Sequence, residues 1–366
     1  MRRAARLFDF IVEPDNLALA YAKACRGKRE TQAVRAFALN LDSNLAVLRD
    51  RLLQAHVTWG PYVFFTIHDP KERIISAARF EERVLQHAIM NVLDPVFERH
   101  AIHHSYACRK GKGTQRAVLR AFDWTRSRSH FLKLDVRKYF DSIDHSLLSA
   151  LLRRLVKDER VLALFDGLLA SYETAPGRGL PIGNLTSQYF ANHYLSVLDH
   201  FVLEKLGTGA YVRYMDDFVL WHDGREALQS AGAEIRSFLR GELGLSLKLA
   251  AMGKCAQGLP FLGFLLRPEG IYLQRKTKIR MAARARTISR DLETGRISEE
   301  LAACKALSVN ASVLIARSWG FRARIWGRER PRAHSASSAA VAGTTMPPTA
   351  PCPIGTITNL TTGTRT

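Results

Sequence analysis

At 366 residues the chain exceeds the about 150 residues of an average domain, so two or three subdomains around a sizeable core are expected. Hydrophobic residues at 47% and charged residues at 24% exclude a disordered or fibrous chain. The 54 Lys and Arg against 34 Asp and Glu leave a net charge of +20, which favours a polyanionic partner, nucleic acid first. No apolar run reaches the ~18 residues of a membrane span. The N-terminal MRRAARLFDFIVEPDN lacks the apolar centre of a signal peptide, so secretion is not expected. The five cysteines are scattered without a CxxC pair, which argues against a zinc site or a disulfide framework. A cytoplasmic protein fits these features.

In chain order, residues 1–58 read as a helical extension, with Leu41, Leu45, Leu48, Leu52 and Leu53 at helical spacing. From Trp59 to Ile75, aromatic and β-branched runs broken by Gly60-Pro61 and Asp69-Pro70 read as short strands or a loop. A helix follows along the stripe Phe80, Val84, Leu85, Ala88, Ile89, Val92 and Leu93, and Pro95 is expected to end or kink it. Alternation in FLKLDV (131–136) predicts a strand with Leu132, Leu134 and Val136 on one face and Lys133 and Asp135 on the other. Residues 188–206 read as a helix capped by Thr186 or Ser187 and closed by Gly207. YVRYMDDFVLWH (211–222) reads as strand, tight turn, strand, with Asp216-Asp217 in the turn. A helix over 225–240 and short strands from Leu262 to Tyr272 come next. The segment Arg267–Arg332 is helical in composition and holds 16 basic against 6 acidic residues. Residues 333–366 contain no acid and are dominated by Ala, Ser, Thr, Pro and Gly, the composition of a disordered tail.

The acidic residues that stand out in this basic chain are Asp135, at a strand end, and Asp216 and Asp217, at a hairpin. Singly they are unremarkable, since Asp tolerates turn geometry. Their flanks change the weighing: Val212, Phe218, Val219 and Leu220 would bury the hairpin in a sheet and hold two carboxylates at its edge. Clustered carboxylates repel one another unless cations lie between them. Hard oxygen donors without His or Cys suit Mg²⁺ or Mn²⁺. An acidic focus within a basic chain is what phosphoryl transfer on nucleic acid requires.

Several motifs carry a resemblance. YMDD (214–217) is similar to the central palm motif of reverse transcriptases, and FLKLDVRKYFDSI (131–143) resembles their first palm motif. GLPIGNLTSQYFANHYL (179–195) resembles the second palm motif, and GLPFLGF (258–264) the primer-grip hairpin. DPKERIISAARFEERVLQHAIMNVLDPVFE (69–98) and SYACRKGKGTQRA (105–117) resemble the fingers motifs. Their order and spacing match over about 60–265.

The resemblance implies an α+β right-hand polymerase: an N-terminal extension (1–58), fingers (59–130), a palm with a small antiparallel sheet (131–265), a basic helical thumb (266–332) and the tail (333–366). It implies catalysis by Asp135, Asp216 and Asp217, with two Mg²⁺ ions, replaceable by Mn²⁺, held by these three and Val136. It further implies nucleotide contacts at Arg73, Arg109, Phe140, Ile182, Gly183 and Gln188, and a primer grip at Phe261, Leu262 and Gly263. The partners implied are template RNA, a cDNA primer and its RNA–DNA hybrid, dNTPs, and a small basic accessory protein oligomer, with no membrane. A retained set of three carboxylates argues against a non-catalytic RNA-binding scaffold.

Most reverse transcriptases have Gln-Gly where this chain has Ile182-Gly183, and Ser-Pro where it has Ser187-Gln188. IGNLTSQ resembles the enzymes of diversity-generating retroelements, which copy RNA with errors at adenines. A branched aliphatic at 182 cannot donate a hydrogen bond to the incoming nucleotide, so base and sugar selection should relax. A group II intron enzyme is expected to have a longer thumb, and a retron enzyme a Val-Thr-Gly signature that this sequence lacks.

Overall fold

Apolar residues at helical spacing alternate along the chain with short β-branched and aromatic runs, and the fold follows that alternation. A computed structural model describes residues 4–68, 72–248 and 250–306. All of these described residues belong to one compact unit. The expectations for 307–332 and for the 333–366 tail lie outside the described residues.

Helices α1 (Phe8–Ile11), α2 (Pro14–Ala24), α3 (Gln32–Leu39) and α4 (Leu41–Leu53) open the described chain. They bury Leu17, Ala20, Val34, Phe37, Leu48 and Leu52. Leu53, expected on the same stripe, is exposed instead. Strands β1 (Val63–Ile67) and β2 (Arg73–Ala77) pair as an antiparallel ribbon ahead of α5 (Phe80–His100), on which α1, α2 and α3 pack. Pro95 neither ends nor interrupts α5. It removes one backbone donor, and the buried Leu93, Val96 and Phe97 around it hold the helix in place.

The chain continues through α6 (Thr114–Ser127), β3 (His130–Asp135), α7 (Tyr139–Ser142), α8 (His145–Leu155), α9 (Glu159–Ala170) and α10 (Leu185–His200). α10 starts earlier than its polar cap signals suggest. Asn184 is its N-cap residue, while Thr186 and Ser187 are buried in its first turn. Gln86 on α5 supplies the acceptor there instead, taking the Leu185 N–H at 3.1 Å. The helix leaves through a π-helical turn, Phe201–Lys205, and Gly207 closes it at φ +63°.

Strands β4 (Tyr211–Tyr214) and β5 (Asp217–His222), helix α11 (Arg225–Glu242) and strand β6 (Ala251–Lys254) follow. β4, β5, β3 and β6 lie in that order in one antiparallel sheet. Leu132, Leu134 and Val136 enter the main core as expected. The other face of β3 is not simply polar: Phe131 is buried in a second core with Val212, Val219, Trp221, Phe261 and Leu266. That second core joins the four-stranded sheet to a three-stranded one built from β7 (Leu259–Phe261), β8 (Phe264–Arg267) and β9 (Gly270–Leu273). The basic helix α12 (Arg275–Glu293) follows and buries none of its residues. Among the described residues, no helix is long and apolar enough to cross a membrane.

Candidate active site

The antiparallel register of β3 and β5 sets Asp135 directly opposite Asp217. Asp216 precedes Asp217 in the β4–β5 turn, which consists of Met215 and Asp216; Asp217 is the first residue of β5. The turn therefore sits one residue earlier than expected. Met215 takes the left-handed conformation at φ +58°, which frees Asp217 to pair with both Tyr214 and Asp135. Val136 extends the contact, donating its N–H to the Asp216 carbonyl at 3.3 Å. Asp135 and Asp217, 82 positions apart in sequence, are thus joined at one sheet end by backbone pairing.

Two lysines answer these charges. Lys248 Nζ lies 2.6 Å from Asp135 Oδ1, and Lys133 Nζ lies 2.9 Å from Asp217 Oδ2. Asp217 Oδ1 is buried without a hydrogen-bond partner. Burial, reinforced by Asp135 and Asp216, pushes the Asp217 carboxyl up to about 6 against the pull of Lys133. Asp216 is raised as well, by burial first and then by the charge of Asp135, with Lys248 and Arg73 opposing.

The donor set is oxygen only and includes that orphaned Asp217 oxygen, which fits a hard divalent cation. The cage is not closed, however. Among the described residues, no three His, Cys, Asp or Glu side chains stand together as an ion site; Asp135 and Asp217 are each turned onto a lysine. Because the Asp217 proton is held up to about 6, cation binding below that pH must expel it. With Asp217 as a ligand, Mg²⁺ affinity would fall about tenfold per pH unit on the acid side and level off above it. Calorimetric titration across that range would read the slope, and a flat profile would contradict it.

The expected nucleotide contacts divide into two groups. Ser76 of β2 donates its N–H to the Ile182 carbonyl at 2.7 Å, and Leu180 donates to the Phe140 carbonyl at 2.9 Å. The segment 180–183 is thereby stitched to β2 on one side and to α7 on the other. Arg73, exposed at the start of β2, acts electrostatically on Asp216. Phe140 and Ile182 are half-buried, as is Gln188 in α10. Gly183 has φ +117°, and a Cβ there would come within 2.7 Å of Ile75 Cγ2, so the close approach of β2 requires glycine. Arg109 is placed differently. Its guanidinium grips Glu98 through Nε at 2.8 Å and Nη2 at 2.6 Å. Nη1 donates to the Ile102 and Ser105 carbonyls. Four of its five donors are therefore committed within the protein, an anchor for the 98–109 segment rather than a free phosphate ligand.

The hairpin expected from GLPFLGF turns at Leu262 (φ +46°) and Gly263 (φ +87°), a two-residue loop with both central residues left-handed. Phe261 is fully buried beside it. The Gly263 carbonyl accepts from Gln274 N at 3.1 Å and from Thr277 Oγ1 at 2.9 Å, which fastens the hairpin tip to the start of α12.

Arg213 has a role that sequence reading missed. It is 1% exposed, and its five donors meet five acceptors: Asp199 Oδ1 and Oδ2, Asn192 Oδ1 and O, and the Met215 carbonyl. Tyr211 donates its hydroxyl to the same Asp199 at 2.8 Å. The turn that carries Asp216 is therefore held from beneath by a buried ion pair. The available signal was a charged residue in the middle of an apolar strand, together with Asp199 inside the apolar stripe of α10.

Residues 68–266, more than half of the chain, match the family described as reverse transcriptase (RNA-dependent DNA polymerase). Protein YkfC of Escherichia coli (strain K12) is 25% identical, covering 74% of this chain and 85% of YkfC. The group II intron-encoded protein LtrA of Lactococcus lactis subsp. cremoris is 28% identical over 37% of this chain, but the match spans only 23% of LtrA. Among solved structures, apo telomerase from Candida Tropicalis overlaps with a TM-score of 0.45 at 9% identity, covering 64% of this chain and 54% of that one. The family match runs through every motif of the site, and the chain belongs to the reverse transcriptases, RNA-directed DNA polymerases with an α+β right-hand fold.

Proposed function

We propose that Asp135, Asp216 and Asp217 transfer nucleotides from dNTPs to a primer 3′-hydroxyl on an RNA template. The observation that carries this reading is the cross-strand register of Asp135 with Asp217, which gathers the acids at one sheet end beside an unpartnered carboxylate oxygen. When bound, a pair of divalent ions would activate the hydroxyl and neutralise the leaving pyrophosphate. Arg73 contributes a guanidinium to the triphosphate, Phe140 bounds the sugar, and Ile182, Gly183 and Gln188 line the nucleotide. Phe261, Leu262 and Gly263 support the primer. The exposed basic residues of α12 suit the hybrid backbone, with binding that weakens as salt rises. The primary test is extension of a DNA primer on RNA with dNTPs and Mg²⁺; a pure chain inert in that assay would end the reading.

Two narrower readings follow, and one assay separates them. The aliphatic Ile182 favours error-prone copying of the diversity-generating kind, aided by a basic accessory protein. The LtrA likeness favours a group II intron-like enzyme. Misincorporation concentrated at template adenines and reduced by Ile182→Gln is expected on the first. Errors spread evenly over the four template bases and indifferent to that change would favour the second.

A further inference from the structure

Lys133 stands two residues before Asp135 on β3, so its side chain leaves the same face of the sheet. Its ammonium reaches across two sheets. One contact is Asp217 Oδ2 on β5, at 2.9 Å. Another is the Pro260 carbonyl on β7, at 3.0 Å. The ring of Phe261, also on β7, has its centre 5.7 Å away, within cation–π range. β5 and β7 belong to different sheets, so this ammonium bridges where no strand ladder does.

We propose that Lys133 is a positioning residue that ties the Asp217 carboxylate to the β7–β8 hairpin and so holds the primer terminus in register with the catalytic acid. The proposal rests on the polymerase reading of Asp217 and of that hairpin. Three features argue for a strut rather than a surface charge. An ammonium has three donors in fixed tetrahedral directions; a carboxylate, a carbonyl and an aromatic face occupy the space around this one. The side chain is 22% exposed and its partner 21%, so solvent screens the pair less than a surface pair. The Asp217 oxygen opposite the lysine is buried and unpartnered, so Lys133 orients the carboxylate by one oxygen and leaves the other available. The hairpin it reaches is the one whose tip is fastened to α12. A hybrid gripped by α12 would therefore be coupled through β7 and Lys133 to Asp217.

The test compares Lys133→Met, which keeps the length and apolar stem, with Lys133→Arg, which keeps charge and directed donors. Extension kinetics are one readout. The other needs no metal: fluorescence of 2-aminopurine at the primer 3′-end in the Mg²⁺-free complex with template RNA. Lys133→Met is expected to lower kcat about a hundredfold, the scale of a misplacement of about 1 Å. KM for dNTP is expected to change less than about threefold, and the 3′-terminal 2-aminopurine to become brighter as the end loosens. Lys133→Arg should recover most of both. An unchanged 2-aminopurine signal in Lys133→Met, a KM that rises in step with the fall in kcat, or an arginine no better than methionine would each overturn the tether. Should Lys133→Met not fold, the same comparison with Lys133→Gln decides. A parent chain that extends no primer overturns the polymerase reading; a parent that extends while the variant keeps its primer end ordered overturns the tether alone.

Discussion

Replacing Asp216 and Asp217 together by Ala is expected to lower RNA-templated extension by at least about a thousandfold, because on the proposed mechanism the cations they would hold supply several kcal/mol of transition-state stabilisation and each 1.36 kcal/mol is tenfold in rate. The fold should survive. Both side chains sit at the end of a hairpin whose strands are buried through Val212, Phe218, Val219 and Leu220, none of which is altered. The raised carboxyls of Asp216 and Asp217 mean that the metal-free site already works against their charges, so removing them relieves repulsion as well as removing the Lys133 contact. Primer extension and thermal unfolding, run side by side, separate the two effects. Unchanged extension by a folded double variant would remove these acids from catalysis.

The second large effect concerns stability. Arg213→Met is expected to cost about 3–5 kcal/mol, because it leaves Asp199 as an uncompensated buried charge. Asp199 is fully buried, and its remaining partner would be the hydroxyl of Tyr211. The Met215 carbonyl also loses its donor, so the turn bearing Asp216 should loosen. Pairing Arg213→Met with Asp199→Leu is expected to recover much of the stability, since an apolar replacement of a buried ion pair is often tolerated. The extension rate should stay low, because nothing then anchors the turn. Urea unfolding reads the first quantity and primer extension the second; a single-variant loss below about 1 kcal/mol, the range of an exposed pair, would refute the buried-anchor account.

The contrast between these two predictions marks what was legible in the sequence. Asp135 and the YMDD hairpin could be read directly because period-two alternation places the strands and the acids lie at strand ends. The exact turn could not, since Asp tolerates turn positions as readily as strand ends and only the pairing with Asp135 decides. α10 was displaced for a similar reason: Thr186 and Ser187 are good caps in isolation, but Gln86, a hundred or so positions away, satisfies the helix start. Pro95 read as a break because local chemistry says so, whereas burial on both sides overrides it. Arg109 looked like a phosphate ligand because its partner Glu98 lies eleven residues back, in the last turn of α5, and the two meet only through the path the chain takes after that helix. Lys133 and Lys248 carry no sequence signal at all, for a lysine beside an acid is usually a solvated surface pair. Their importance comes from tertiary placement.

The glycine at 183 leaves evolution a narrow corridor. With β2 lying so close that even a methyl group would strike Ile75, the gap between the two segments cannot be widened residue by residue without prising the ribbon away. Its neighbour 182 is freer, because its half-buried side chain can change size and polarity while the backbone bond to Ser76 stays put. Across lineages of such enzymes the second of these two positions should accordingly stay frozen, whatever the first becomes.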